Sequence, residues 1–159
     1  NQTILNQFQT LNASANHVYK IGQQRASTSL VYTKFFNSSS DTGFIYYNST
    51  NLFANHSLMF NRVTTGVSIS HSYKPGYRFD VMEENFSFQV SKRGSVGAGV
   101  KIFDLNQTET RLGGYLHCSV RIGKADMLSV HAENGYIPGT NNRLVNNTTG
   151  TINFIKNIP

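Results

Sequence analysis

The chain has 159 residues, enough for one domain with a real core, and no apolar run approaches the roughly 18 residues of a membrane-spanning helix. Only 14% of its residues are charged, against roughly 25% in an average soluble domain, which argues against an ordinary cytosolic surface; the 12% aromatic content, in patterned positions, excludes a disordered chain. The formal charge is +6, but the bases are scattered, with Lys92-Arg93 the one adjacent pair, so no electrostatic footprint for nucleic acid is present.

The first residues, Asn1-Gln2-Thr3, have neither the basic nor the apolar region of a secretory signal, which leads us to expect a mature form or a fragment. Residues 3–11 and 17–21 read as extended. Residues 22–25 read as a short basic turn, followed by a strand over 26–36. Residues 42–60 read as one long strand or as two with a break near Asn48-Ser49-Thr50. One long strand keeps the rhythm of the chain and gives about ten strands in all.

From Arg62 onward the chain alternates with period two, the signature of strands that meet an apolar medium on one face. Val63, Thr65, Val67, Ile69, His71 and Tyr73 share one face; Thr64, Gly66, Ser68, Ser70 and Ser72 share the other. Phe86, Phe88 and Val90 oppose Asn85, Ser87 and Gln89. Val96, Ala98, Val100 and Ile102 oppose Gly97, Gly99 and Lys101. Leu112, Gly114, Leu116, Cys118, Val120 and Ile122 oppose Arg111, Gly113, Tyr115, His117, Ser119 and Arg121. Leu128, Val130, Ala132 and Tyr136 oppose Ser129, His131, Glu133 and Gly135.

Short turns at Asn61-Arg62, at Lys92-Arg93-Gly94 (with Gly94 placed for a positive φ) and at Gly123-Lys124-Ala125 alternate with longer polar connections over 74–83, 104–109 and 137–149. Short turns at one end and long ones at the other suit an outer-membrane barrel. Pairing Ser91 with Ser95 sets Phe88 opposite Ala98. Pairing Ile122 with Asp126 sets His117 opposite His131 and Tyr115 opposite Glu133. The expected fold is therefore all-β: an antiparallel up-and-down meander, forming a transmembrane β-barrel of about 8–10 strands or part of a larger barrel, in one domain over 1–159. Residues 3–11 would pair with 150–158 to close it, or another segment would cover both edges, because unpaired backbone in lipid costs several kcal/mol per group.

The stretch Ser91-Lys92-Arg93-Gly94-Ser95-Val96-Gly97-Ala98-Gly99-Val100-Lys101 resembles a barrel hairpin of Bacteroidota outer-membrane proteins, as does Gly135-Tyr136-Ile137-Pro138-Gly139. The likeness is one of style and spans roughly residues 57–155. It implies a role in secretion, transport or surface anchoring in the bacterial outer membrane, with the lipid bilayer and other outer-membrane or periplasmic proteins as partners, and it carries over no functional residue.

The polar face near the C-terminal hairpin gathers Arg111, Tyr115, His117, Ser119, Arg121, Ser129, His131 and Glu133, which reads as an ion-paired network filling a barrel interior. His117, Ser119 and Glu133 are also candidates for the base, nucleophile and orienter of a barrel-embedded lipid hydrolase, faintly similar to outer-membrane lipid A deacylases. His117 and His131 lack the third ligand a metal site needs, Cys118 has no partner cysteine, and the glycines fit no phosphate loop, so no cofactor is expected. Nine Asn-x-Ser/Thr sequons, at Asn1, Asn12, Asn37, Asn48, Asn55, Asn85, Asn106, Asn146 and Asn147, support an alternative: a soluble secreted β-sandwich, adhesin- or lectin-like.

Overall fold

The computed structural model describes residues 7–38, 49–122 and 126–156. It contains nine strands: β1 (Gln7–Ile21), β2 (Gln24–Ser38), β3 (Ser49–Phe60), β4 (Val63–Lys74), β5 (Tyr77–Ser91), β6 (Gly94–Leu105), β7 (Glu109–Ile122), β8 (Asp126–Pro138) and β9 (Leu144–Ile155). All nine join one sheet in chain order, each antiparallel to the next. The up-and-down meander is as the alternation implies. Among the described residues every strand lies in one sheet, and no second sheet packs on it as in a sandwich.

The strands run 12–15 residues, about twice the usual length in soluble domains. The sheet is curled. Met59 on β3 and Met127 on β8 line the same concavity, five strand junctions apart. Along β6 the alternation is direct: Gly99, Phe103 and Leu105 are buried on the concave side, while Val100 and Ile102 stand exposed on the convex side. Glycine helps the curl. At Gly66 a Cβ would come within 3.1 Å of the His56 carbonyl oxygen, and at Gly97 within 3.0 Å of that of Phe86, so a side chain at either position would push the neighbouring strand away by a few tenths of an ångström.

The sheet is not closed. Among the described residues β1 pairs only with β2, and β9 only with β8. The expected pairing of 3–11 with 150–158 is not made by the described parts of those segments; residues 3–6, 157 and 158 lie outside the described residues. Strand parity supplies the reason. In a nine-strand meander the first and last strands run the same way, so joining them would need a parallel ladder in a sheet whose every junction is antiparallel.

The long connections expected over 74–83 and 104–109 are short turns instead. Pro75-Gly76 links β4 to β5, with Pro75 fixing its own φ and Gly76 at +74°, as a type II turn requires. Residues 106–108 link β6 to β7, with Asn106 and Gln107 at φ of 55° and 59°. Asp104 Oδ1 accepts from the Gln107 amide at 2.9 Å. The connection over 139–143 is longer, as expected in kind, but β9 begins at Leu144. β3 begins at Ser49, and the rest of the 42–60 reading falls on residues 42–48, outside the described residues. At the opposite end, Gly22-Gln23, Asn61-Arg62 and Lys92-Arg93 are two-residue turns. Gly94 is the first residue of β6 and does not take a positive φ.

A small apolar core sits on the concave face toward the Pro75-Gly76 end. Phe103, Leu105 and Leu144 are buried there, with Tyr77, Phe79, Val81 and Tyr136 packed against them. Phe79 stacks with Phe103 at a centroid distance of 6.4 Å, and Tyr136 meets Phe103 edge-on at 5.8 Å. Tyr136, which alternation assigns to the face of Leu128 and Val130, therefore joins the interior core; the β7–β8 ladder runs only from Gly114–Asn134 to Ile122–Asp126, and β8 continues past it.

Candidate interior ionic site

Cross-strand pairing places the polar residues of β5–β8 on the concave face. Opposite Lys101 lie Glu83 on β5 and Gly113 on β7; opposite Gly99 lie Asn85 and Tyr115. On β8, Glu133 faces Tyr115 and His131 faces His117, the register that the short turn after Ile122 implies.

Two side chains cross whole strands, one of them over a glycine. Tyr115 leans over Gly99, where its Cζ would stand 2.7 Å from any Cβ, and its hydroxyl donates to Glu83 Oε1 on β5 at 2.9 Å. Lys101 lies opposite Gly113 in register and reaches past β7 to Glu133 Oε1 on β8 at 2.7 Å. It also lies 3.7 Å from Glu83 Oε2 and over the Tyr115 ring, 5.1 Å from its centroid. His131 Nε2 pairs with Glu133 Oε2 at 3.2 Å, stacks obliquely on Tyr115, and sits 6.2 Å, centroid to centroid, from His117. One cation thus binds two carboxylates, and a phenol and an imidazole occupy their remaining oxygens. That is a satisfied network for half-buried charge.

The eight-residue polar set of the sequence reading divides in three. Tyr115, His117, His131 and Glu133 belong to this cluster. Arg111 binds Glu109 Oε1 through Nε and Nη2 at 3.0 and 2.8 Å at the far end of β7, where Glu109 Oε2 also accepts the Leu144 amide at 2.7 Å. Arg121 lies at the short-turn end, beside Arg62, Lys92 and Arg93. Ser119 faces Ser129 in register, but its hydroxyl bonds Ser95 on β6 at 2.8 Å.

The candidate hydrolase set is consequently not assembled. Among the described residues no histidine bonds Ser119, and Glu133 is engaged by Lys101 and His131. His117 and Ser119 are two positions apart on one strand and each looks across to a neighbouring strand, so the spacing that suggested a triad places them side by side. No group of three metal-ligating side chains occurs among the described residues.

Sequence reasoning missed Lys101 and Glu83 as partners. The signal was present in the β5–β6 register, but that register is Phe86–Ala98 and Phe88–Val96, with a shift between Gln89 and Ser91. The expected Phe88–Ala98 pairing is off by two positions, because Gly94 had been counted in the turn and the irregularity at Val90 was not foreseen.

Across β4–β9 the convex face is largely apolar, with Glu84 a charged side chain within it. Leu112, Leu116 and Ile152 are 66%, 67% and 74% exposed, and Val67, Ile69, Met82, Phe86, Val100 and Val130 stand beside them on neighbouring strands. This apolar band ends toward the Pro75-Gly76 turn in a polar rim, where Asp80 holds His71 and accepts from Arg78 Nε at 2.6 Å. Four buried apolar side chains are the whole core among the described residues.

No protein-family model, curated protein or solved structure matches the chain.

Proposed function

We propose that the chain forms part of the wall of a transmembrane β-barrel in a bacterial outer membrane, serving as a pore, scaffold or secretion and transport component. One observation carries this reading: between the rims the convex face of β4–β9 is apolar save for Glu84, while the Lys101–Glu83–Glu133 ion pairs lie on the concave face. In water such a face would be an extended exposed apolar surface of the kind that marks a contact with lipid or protein. Against lipid it is the expected exterior, with a polar interior behind it. The strand lengths, the short-turn ends and the resemblance of residues 91–101 to Bacteroidota barrel hairpins support it further.

The same reading requires cover for the β1 and β9 edges. Since β1 and β9 run in the same direction, an odd number of additional antiparallel strands completes the wall. Each would be amphipathic, apolar on the face it shares with Leu116 and Ile152. A second copy does not satisfy this, because a same-way-up neighbour would meet it through parallel junctions.

The decisive experiment is extraction. The chain is expected to fractionate with outer membranes, to resist release by alkaline carbonate and to shift its gel mobility on heating in detergent. A monodisperse, folded protein in plain buffer would refute the proposal.

A further inference from the structure

In the interior ionic cluster the one lysine is paired with two carboxylates; the short-turn end holds cations without such partners. Among the described residues, seven Lys and Arg (Lys20, Arg25, Arg62, Lys92, Arg93, Arg121, Lys156) lie within a few positions of that end, with Asp126 the one carboxylate. Four of them converge. Arg62 from the β3–β4 turn, Lys92 and Arg93 from the β5–β6 turn, and Arg121 from the end of β7 line one concavity of 330 Å³, together with the hydroxyls of Ser95 and Ser119. No carboxylate lines it, and none of the four cations is ion-paired among the described residues.

We propose that this concavity is a binding site for a small solute carrying two or more phosphate or carboxylate groups. Three guanidiniums present planar donor forks that match such oxyanions. The volume lies at the lower end of the range for small-molecule sites. The cations face the concave side with the serines, away from the apolar band, so a free solute fits better than a lipid headgroup, which would approach from the convex side. Like-charged neighbours held together by the turns gain most from an anion that neutralises several at once. The site is made by paired strands within the sheet and does not depend on the bilayer reading.

The test uses the folded chain in nonionic detergent, titrated calorimetrically with inorganic pyrophosphate and separately with vesicles of phosphatidylglycerol. Pyrophosphate is expected to bind, more weakly as salt rises. The triple variant Arg62→Gln/Arg93→Gln/Arg121→Gln should lose at least tenfold in affinity, while a charge-matched control, Lys34→Gln/Lys74→Gln/Arg143→Gln, should keep it. Equal pyrophosphate affinity in wild type and the first triple would overturn the proposal, as would an equal loss in the control. Binding to the vesicles without binding to pyrophosphate would also overturn it, assigning the cations to headgroups. Both triples are checked for the native heat-induced mobility shift, and Arg121→Lys, which keeps the charge, should bind more tightly than Arg121→Gln. A chain that proves folded without detergent would refute the membrane proposal and leave this titration unaffected.

Discussion

The Tyr115 hydroxyl on β7 donates to Glu83 on β5 at 2.9 Å, although β6 lies between those strands. The bond exists because Gly99 leaves β6 bare where the ring passes. Gly99→Val should therefore displace Tyr115 and force the close-packed neighbours apart, at about 1–3 kcal/mol. Urea unfolding in detergent micelles reads the change. Gly150→Ala is the control, since its Cβ would meet nothing within 4 Å, and it should leave the midpoint in place or raise it.

Removing Lys101 leaves Glu83 and Glu133 facing one another without their shared cation. Lys101→Met should destabilise the sheet by about 2 kcal/mol, below the range for fully buried pairs because these side chains retain some exposure. Adding Glu133→Gln should recover most of the loss. A double variant no more stable than the single one would show that Lys101 acts through packing on Tyr115 rather than through charge.

Adjacent residues on β7 test the two faces. Leu116→Arg puts a charge in the convex apolar band and should cost about 2–4 kcal/mol of folding into bilayers. His117→Arg, one position on, faces the concave side and should cost less than about 1 kcal/mol. Folding yield into phosphatidylcholine vesicles distinguishes them; equal effects would mean that the faces do not see different media.

Asn106 ties three connections together. Its Oδ1 accepts the Arg78 amide at 2.6 Å, and its Nδ2 donates to Asn142 Oδ1 at 2.7 Å, while its own backbone sits at a φ of 55°. Asn106→Ala loses both bonds and strains the backbone, which predicts a loss of about 1–2 kcal/mol. Hydrogen exchange at the Arg78 amide should accelerate. The same bonds occupy the side chain that a glycan at this sequon would need.

Much of this architecture was legible because β7 and β8 are simple. A short turn and unbroken alternation between Leu112 and Ala132 fix their register, so His117–His131 and Tyr115–Glu133 follow from counting. β5 defeats the same method. From Met82 onward its apolar side chains point outward, but nearer the turn the apolar Phe79 and Val81 point inward while Arg78 and Asp80 point outward. The phase inverts where the strand leaves the apolar band and meets the interior core. A reader of periodicity sees a loop there, and with it loses Glu83. Lys101 was placed on the correct face, but its partner lies two strands away, a contact that the reach of the long side chain makes and that nearest-neighbour pairing does not reveal.

Every ladder in the sheet joins strands that follow one another in the chain. Such a wall is modular in units of two. Inserting or deleting a whole hairpin leaves every remaining residue facing the medium it faced before and every remaining turn on its own side. Inserting or deleting a single strand transposes all subsequent turns to the opposite rim. On the barrel proposal, lineages of this sheet are therefore free to change circumference by duplicating hairpins, and a change by one strand must be compensated elsewhere in the wall.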